Sequence, residues 1–199
     1  MTELVLASRS TARAAVLSQA GLRFTIRAAD IDEAAPKRAM RDQGAEAVAL
    51  HLAHAKAALA DHADGALVIG ADQILVCEGA WFDKPAGLSG AREHLRQLRG
   101  RVHTLVTAVV LHQHGRPCWS HVALPTLRMR AMSDGAIDAV LAQDGPACLA
   151  TVGAYRIEGP GVQLFEYIEG EWPAILGLPL LPLLGALRNA GDVAGLLPN

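Results

Sequence analysis

The sequence predicts an α/β fold, of the α+β kind, built on a large mixed β-sheet. Short apolar runs typical of buried strands recur along the chain, and helical segments with apolar residues every three or four positions lie among them. The two kinds of segment do not alternate as strictly as a doubly wound parallel sheet requires. No low-complexity linker or internal repeat interrupts the chain, so one domain over residues 1–199 is expected.

The first predicted strand and helix have clear local signals. An apolar run at residues 4–7 predicts a buried strand, and a helix over residues 12–20 follows it. Ser10 or Thr11 can cap the start of this helix, and Gly21 can close it. The junction therefore directs free backbone N–H groups and the positive end of a helix dipole at whatever lies above the loop.

The later elements are predicted from the same two patterns. Further strands are predicted at residues 23–28, 66–69, 74–77, 101–111, 118–129, 153–157 and 162–168. Further helices are predicted at residues 44–62, 89–100, 133–143 and 180–189. The apolar stripe of the first of these helices consists of Val48, Leu52 and Ala55. The strands at 101–111 and 118–129 are expected to pair antiparallel across a turn at 114–117.

The composition indicates a globular protein with no general affinity for polyanions. Of its 199 residues, 51% are hydrophobic and 19% are charged, which excludes a disordered or fibrous chain. The formal net charge of −2 argues against a partner that is a nucleic acid polymer or an anionic membrane, because such binding needs a cationic surface. A polyanionic ligand would have to be held by a few local cations. Only three lysines are present: Lys37, Lys56 and Lys84.

The cysteines and the apolar segments predict a cytoplasmic protein. Cys77, Cys118 and Cys148 are widely spaced, and the chain has no C-x-x-C pair, which favours unpaired thiols in a reducing compartment. Residues 1–10 lack the features of a signal peptide. The most apolar stretch, residues 173–187, is interrupted by Pro179 and Pro182 and is shorter than the roughly 18 residues that span a bilayer, so it is predicted to be core.

Three familiar catalytic motifs have no support. Gly65 and Gly70 have the glycine spacing of a P-loop, but Ala71 and Asp72 stand where that motif requires Lys and Ser or Thr. The chain contains neither the G-x-G-x-x-G of a dinucleotide-binding fold nor the G-x-S-x-G of an esterase elbow. A site therefore has to be sought among isolated charged residues.

Charged residues beside apolar runs are the candidates for such a site. Asp72 follows the run at 66–71, and ligands of open α/β sheets bind beyond strand ends; the alternative is an aspartate that caps a turn. The acidic segment at 30–33 could supply hard oxygen ligands to Mg²⁺ or could be a solvated loop. Its candidate ligands are Asp30, Asp32 and Glu33. The lysines that could reach a phosphate, or could be plain surface residues, are Lys56 and Lys84.

The histidines give weaker indications. His51 and His54 are three residues apart, and His112 and His114 have strand spacing, so either pair could bind a metal. Neither pair has an evident third ligand, and His112 and His114 are more simply interpreted as decorating a hairpin tip. His103, inside a predicted strand, is interpreted as a structural histidine.

In combination, these segments resemble the Maf family of nucleoside triphosphate pyrophosphatases. The matching segments are LASRS at 6–10 with Arg13, DIDE at 30–33, LA at 52–53, KA at 56–57, GAD at 70–72, KP at 84–85, GRVH at 100–103 with Thr107, GAYRIEG at 153–159 and LGLPL at 176–180. Their number and order cover nearly the whole chain. The resemblance implies a fold like that of the inosine triphosphate pyrophosphatases, with a long mixed sheet, two lobes around a deep cleft, and a homodimer.

The resemblance also implies an activity and a set of site residues. Members of the family hydrolyse nucleoside triphosphates to monophosphate and pyrophosphate with a divalent metal cation, Mg²⁺ or Mn²⁺. Asp72 matches the proton acceptor, and Glu33 with Asp72 matches the metal site. The positions implied to bind phosphate are Ser8, Ser10, Arg13, Lys56 and Lys84. Because family members are linked to septum formation, a nucleotide-binding regulator of cell division is the alternative.

Three positions are implied to set the base specificity: Ala12, Gln73 and Glu158. Gln73 and Glu158 are similar to the 7-methyl-GTP group of the family, whereas the group that acts on dTTP and UTP carries Thr and Gln there. Ala12 fits neither group, because the group that acts on dTTP and UTP carries Arg there and the 7-methyl-GTP group carries an aromatic residue on which a base could stack. Thr151 replaces a lysine that is common in the family, so one phosphate contact is expected to be absent.

Overall fold

Strands and helices are mixed along the chain, which confirms the predicted fold class. A computed structural model describes residues 2–60, 62–190 and 193–197. The strands in this part of the chain are β1 (Leu4–Leu6), β2 (Thr25–Ile26), β3 (Leu67–Cys77), β4 (Ala80–Phe82), β5 (Val102–Gln113), β6 (Arg116–Ala123), β7 (Thr126–Met129) and β8 (Phe165–Glu169). Its α-helices are α1 (Thr11–Gln19), α2 (Ala34–Ala39), α3 (Ala45–Leu59), α4 (Gly87–Leu98), α5 (Asp134–Asp144), α6 (Trp172–Ile175) and α7 (Leu180–Ala190). Short 3₁₀ helices span Arg41–Gln43, Gly145–Ala150, Val152–Ala154 and Pro160–Leu164.

The strands of the described residues form one mixed sheet of eight. Its order is β2-β1-β3-β5-β7-β8, with β4 paired to β3 and β6 paired to β5. The β2–β1 and β1–β3 pairs are parallel, whereas β4, β6, β7 and β8 pair antiparallel with their partners. The sheet is therefore mixed and large, as the absence of a strict strand–helix alternation predicts.

The chain divides into two compact units, each made of separate segments. The first unit consists of Met1–Gln73, Thr107–Ala123 and Glu171–Asn199, and the second consists of Ile74–Val106 and Leu124–Gly170. Both β3 and β5 contribute residues to each unit. The expectation of a single domain with a cleft between two lobes stays a prediction.

The core of the first unit lies between the parallel strands and helices α1 and α7. Leu4, Leu17, Leu67 and Leu183 are at most 2% exposed in this core. Complete burial of each such side chain contributes about 1.5–3 kcal/mol relative to an exposed one. Several residues of the apolar stretch at 173–187 belong to the same cluster, which confirms that this stretch is core.

Three predicted strands of the later part of the chain differ from the structure. The segment predicted as one strand over 118–129 forms β6 and β7, because Pro125 has no N–H for the ladder and the chain changes partner segments on β5 there. The strand predicted at 153–157 is wrong, since Gly153 and Ala154 have φ values of 78° and 63°, which are incompatible with an extended strand. The strand predicted from 162 begins only at Phe165.

Candidate active site

The loop after β1 and the start of α1 are held by two serines. The Ser10 side chain caps α1 by accepting a hydrogen bond from the Arg13 N–H at 3.3 Å, as the sequence predicts. The Ser8 hydroxyl is buried and accepts one from the Ser10 N–H at 3.2 Å. Both hydroxyl hydrogens stay available to an acceptor such as a phosphate oxygen. Phosphate binding by Ser8 and Ser10 stays a prediction.

Arg13 connects three separate segments of the first unit. Its Nε donates to the Gly177 carbonyl at 2.8 Å, and its Nη1 donates to the Ser8 hydroxyl at 3.1 Å and to the Ala71 carbonyl at 3.0 Å. Burial lowers the pKa of the Arg13 guanidinium, while the carboxylates of Asp72 and Glu33 oppose that shift. The guanidinium nevertheless keeps its charge, because an arginine pKa lies far above neutral. A fixed, poorly hydrated cation is thus placed beside the loop that follows β1.

Asp72 lies inside a continuous strand, which corrects the prediction that it follows a strand end. The segments predicted separately at 66–69 and 74–77 are one strand, β3, that runs through Gly70 and Asp72. Gly70 is not a turn glycine. A Cβ there would stand 2.1 Å from the Ala53 carbonyl oxygen and 2.9 Å from the Ala57 Cβ, so its hydrogen allows α3 to pack directly on β3.

This close packing brings Lys56, on α3, to Asp72. The Lys56 Nζ lies 2.6 Å from the Asp72 Oδ1 and 2.8 Å from the Glu33 Oε1, so one ammonium bridges two carboxylates. Asp72 is 3% exposed, and its Oδ2 is buried without a hydrogen-bond partner among the residues described. A buried carboxylate oxygen without a donor costs free energy, so this oxygen is suited to a bound group that offers it a hydrogen bond or a positive charge.

The environment of the Asp72 carboxylate suits it to act as a proton acceptor. Burial raises the pKa of the Asp72 carboxyl, Lys56 and Arg13 counteract that rise, and the charge of Glu33 adds to it. A raised pKa means that the carboxylate, once formed, takes up a proton more readily than an ordinary aspartate at neutral pH. Such perturbed carboxyl groups are concentrated at functional sites.

The three carboxylates of the acidic segment at 30–33 have different partners. The Asp32 Oδ1 accepts hydrogen bonds from the N–H groups of Ala34 and Ala35 at 2.9 and 3.2 Å, and so caps α2. The Asp30 carboxylate is exposed and lies 3.9 Å from the Arg9 guanidinium. Only Glu33 faces Lys56. Helix α2 is absent from the sequence prediction, although an aspartate followed within four residues by a glutamate, two alanines and a proline is a helix-start signal.

Gln73 and Thr107 hold the segment that contains α6. The Gln73 Nε2 lies 2.8 Å from the Thr107 Oγ1 and 3.1 Å from each of the carbonyl oxygens of Ala174 and Ile175. The Thr107 hydroxyl donates to the Ala174 carbonyl at 3.0 Å. The role of Gln73 in this network was not predicted, because residues 73 and 174 are far apart in sequence.

The remaining predicted site residues belong to different units of the chain. Lys84 and Glu158 are exposed and belong to the second unit, and Ala12 is half-buried on α1. The Thr151 hydroxyl lies 2.9 and 2.8 Å from the carbonyls of Cys148 and Tyr155, so it holds a loop. The phosphate-binding role of Lys84 and the base-reading roles of Ala12, Gln73 and Glu158 stay predictions.

The two histidines that contact each other in the structure are not one of the pairs that the sequence offers as metal ligands. The His54 Nδ1 lies 2.9 Å from the His112 Nε2, and His112 is buried, so its placement at a hairpin tip is wrong. His114 does lie in the turn, with φ 50°. His103 is a structural histidine as predicted, since its Nε2 lies 2.8 Å from the Tyr155 hydroxyl and burial lowers its pKa to about 4.

The described residues contain no preformed metal cage and no membrane-spanning helix. No group of three or more His, Cys, Asp or Glu side chains in the described part of the chain could hold a metal ion by itself. Among the helices of residues 2–60, 62–190 and 193–197, none combines the length and apolar character that a membrane crossing requires. Cys77, Cys118 and Cys148 are all free thiols.

The comparisons with known proteins establish the family. A family model described as Maf-like protein matches residues 3–190, and the chain therefore belongs to the Maf family. It is 50% identical over 190 residues to a nucleoside triphosphate pyrophosphatase of Granulibacter bethesdensis, covering 94% of this chain and 96% of that protein. It is 48% identical over 193 residues to a 7-methyl-GTP pyrophosphatase of Rhizobium meliloti, covering 96% and 97%. A 7-methyl-GTP pyrophosphatase of Mesorhizobium japonicum is also 48% identical, over 98% of this chain and all of that protein.

Close packing at Gly70 leads to a first prediction. Gly70→Ala should destabilise the protein by about 1–3 kcal/mol, because the added methyl group collides with the backbone of α3. Displacement of α3 should also lengthen the contact between Lys56 and Asp72 and lower the activity. Gly185→Ala is the matched control, since a Cβ there meets nothing within 4 Å and Ala favours a helix by roughly 0.5–1 kcal/mol. Thermal unfolding of both variants tests this; equal melting temperatures would contradict the packing argument.

Proposed function

We propose that the protein hydrolyses nucleoside triphosphates between the α- and β-phosphates, releasing nucleoside monophosphate and pyrophosphate. The observation that carries the proposal is the buried Asp72 carboxylate, with one oxygen held by Lys56 and the other without a partner among the described residues. Relatives about half identical over most of the chain are named for this type of activity.

Asp72 serves as the base in this mechanism. Lys56 binds the Oδ1 at 2.6 Å and fixes the plane of the carboxylate, so the Oδ2 is free to take a proton from the attacking water. The raised pKa of Asp72 makes this transfer easier than it would be for an exposed aspartate. The proton moves to the Oδ2 while the water oxygen forms its bond to the α-phosphorus and pyrophosphate leaves.

The phosphates are bound at the start of α1. Arg13 is oriented by protein oxygens on its Nε and Nη1, which leaves its Nη2 edge to meet a phosphate oxygen. The serine hydroxyls and the N–H groups of the first turn of α1 add uncharged donors. Because Glu33 and Asp72 balance the charges of Lys56 and Arg13, these residues alone do not neutralise a triphosphate.

A divalent cation fits this charge balance and the available ligands. Mg²⁺ commonly binds to one or two protein carboxylates together with phosphate oxygens, and it does not need a cage built entirely from protein. The carboxylates of Glu33 and Asp72 are hard oxygen ligands of this kind, and these two residues would hold Mg²⁺ or Mn²⁺. When bound, the cation supplies positive charge against the phosphate oxygens and the leaving pyrophosphate.

A guanine-type base, methylated or not, is the proposed preference. The exposed Glu158 carboxylate can accept hydrogen bonds from the N1–H and amino group of guanine, which UTP and dTTP lack. Relatives named 7-methyl-GTP pyrophosphatase support this choice. UTP and dTTP are the alternative substrates, and no observation favours the alternative of a division regulator without catalysis.

Product analysis tests the proposed reaction. The purified protein with Mg²⁺ or Mn²⁺ should convert 7-methyl-GTP, GTP, UTP or dTTP to monophosphate and pyrophosphate in equal amounts. Release of orthophosphate and nucleoside diphosphate would contradict cleavage at the α–β linkage. Tight nucleotide binding with no turnover under either metal would instead support the regulator.

The proposal also covers the oligomeric state of the protein and its location in the cell. A homodimer and a cytoplasmic location are inferred from the family resemblance and from the three free thiols. Light scattering of the purified protein should give twice the mass of the 20.9 kDa chain, and a monomer at all concentrations would contradict the dimer.

A further inference from the structure

Asp144 and Arg156 form a largely buried ion pair within the second unit. Asp144 is the last residue of α5, and its side chain is only 2% exposed. The Arg156 Nε lies 3.0 and 3.2 Å from the two Asp144 carboxylate oxygens, and the Arg156 Nη2 lies 2.8 Å from the Oδ1. Two nitrogens of the planar guanidinium thus bind one carboxylate, which fixes the orientation of the Arg156 side chain.

This ion pair contacts both ends of a turn formed by residues 156–159. The Gly159 N–H donates to the Arg156 carbonyl at 3.3 Å and closes the turn. A Cβ at Gly159 would stand 3.0 Å from the Arg156 Nη2 and 3.1 Å from the Asp144 Oδ1, so the end of the turn lies directly on the ion pair. A Cβ at Gly161 would stand 2.6 Å from the Arg156 carbonyl oxygen, so the chain that follows packs against the start of the turn.

Glu158 is the exposed residue of this turn. Ile157, directly before it, is 4% exposed and attaches the turn to the core of the second unit, whereas Glu158 is open to solvent. A carboxylate on a fixed turn binds two donors of a base edge with less loss of conformational freedom than one on a mobile loop. The position of the Glu158 carboxylate therefore depends on the ion pair that contacts both ends of the turn.

We propose that Asp144 and Arg156 are positioning residues for base recognition, because their ion pair fixes the 156–159 turn and with it the Glu158 carboxylate. The inference rests on the proposed function, since it takes Glu158 as the group that reads a guanine-type base. Asp144 acts through Arg156, and Arg156 acts through the backbone of the turn. Base preference thus depends on a residue of α5 that does not itself touch the nucleotide.

Calorimetric binding of GMP and UMP with Mg²⁺ tests this role, because the two ligands carry the same phosphate and differ in the base. Asp144→Asn keeps the shape of the side chain but removes the charge that holds the guanidinium. The ratio of GMP to UMP affinity should fall roughly tenfold, the low end of the discrimination that a two-bond contact to a base edge provides. UMP affinity should stay within about twofold of wild type, since only the contact with guanine is weakened. An unchanged ratio in folded Asp144→Asn would overturn the inference.

Double substitution tests whether the effect passes through Glu158. Glu158→Gln alone should also lower the affinity ratio, and Asp144→Asn in that background should change it by less than about twofold, because the group that it positions is gone. A further tenfold fall would overturn the inference. A wild-type ratio in Glu158→Gln would overturn it together with the proposed guanine preference. Asp138→Asn is the matched control with an unchanged ratio, since Asp138 lies on the same helix and binds two nitrogens of Arg92 at the exposed surface.

A second variant covers the case in which Asp144→Asn does not fold. Arg156→Lys keeps a cation beside the buried Asp144 carboxylate but replaces the planar fork with a single ammonium group, so the turn loses its fixed orientation. This variant should fold and lower the ratio of GMP to UMP affinity at least about threefold; a folded protein with the wild-type ratio would overturn the inference. Because monophosphate binding requires no turnover, failure to hydrolyse nucleoside triphosphates overturns only the proposed reaction.

Discussion

Asp72→Asn is expected to lower kcat by roughly 10²–10⁴-fold, the range in which a positioned acid or base contributes to catalysis. Asparagine has nearly the same shape as aspartate but cannot accept the proton that the Asp72 Oδ2 would take from water. It also removes one of the two carboxylates proposed to hold the cation. Single-turnover measurements with saturating nucleotide and Mg²⁺ give the rate of the chemical step directly.

The control for this substitution is Asp42→Asn. Asp42 is exposed in the short 3₁₀ helix Arg41–Gln43, and its loss should leave kcat unchanged. Circular dichroism of Asp72→Asn should show a folded protein, since the substitution removes a buried charge and adds no volume. Turnover that survives this substitution at the wild-type rate would remove Asp72 from the mechanism.

Lys56→Met should give the largest loss of stability among these variants. The Lys56 ammonium is the closest cation to both Asp72 and Glu33, and its side chain is only 12% exposed. Removing one member of a buried ion pair leaves a charge uncompensated and costs about 3–5 kcal/mol. Lys37→Met is the control, because Lys37 lies 3.9 Å from Glu33 and such a pair contributes roughly 1 kcal/mol or less.

The loss of stability in Lys56→Met should grow as the pH rises. Without the ammonium, the pKa of Asp72 rises further, because burial remains and the main opposing charge is gone. The variant should therefore be close to wild type in stability at acid pH, where Asp72 is protonated, and less stable as the pH rises through the pKa of the folded state. The acid limb of kcat/KM should move to higher pH. A pH-independent loss of stability would contradict the role given to Lys56.

Local signals allowed the start of the site to be predicted from sequence. The N-cap of α1 depends on residues within one turn, so Ser10 could be assigned without any tertiary information. Asp72 and Lys56 were candidates as charged residues beside apolar segments, and the family resemblance gave each a specific role. Their contact could not be predicted, because it depends on α3 packing against Gly70 across a separation of 16 residues in sequence.

The sequence predictions that were wrong or missing also depend on contacts between distant segments of the chain. Gly70 and Asp72 resemble the end of a strand in sequence, although the glycine serves helix packing and the strand continues to Cys77. Which acidic residue of the 30–33 loop faces Lys56 is settled only by the unpredicted helix α2, which uses Asp32 as its cap. Two of the three partners of Gln73 are backbone carbonyl oxygens of a distant turn, and a sequence pattern of side chains cannot predict contacts with backbone atoms.

Hydrolysis of a nucleoside triphosphate in ¹⁸O-labelled water tests the central claim most directly. If Asp72 activates water for attack on the α-phosphorus, mass spectrometry should find one ¹⁸O atom in the nucleoside monophosphate and none in the pyrophosphate. The label should disappear from the product together with activity in Asp72→Asn. Label in the pyrophosphate would place the attack on the β-phosphorus and contradict this account of the site.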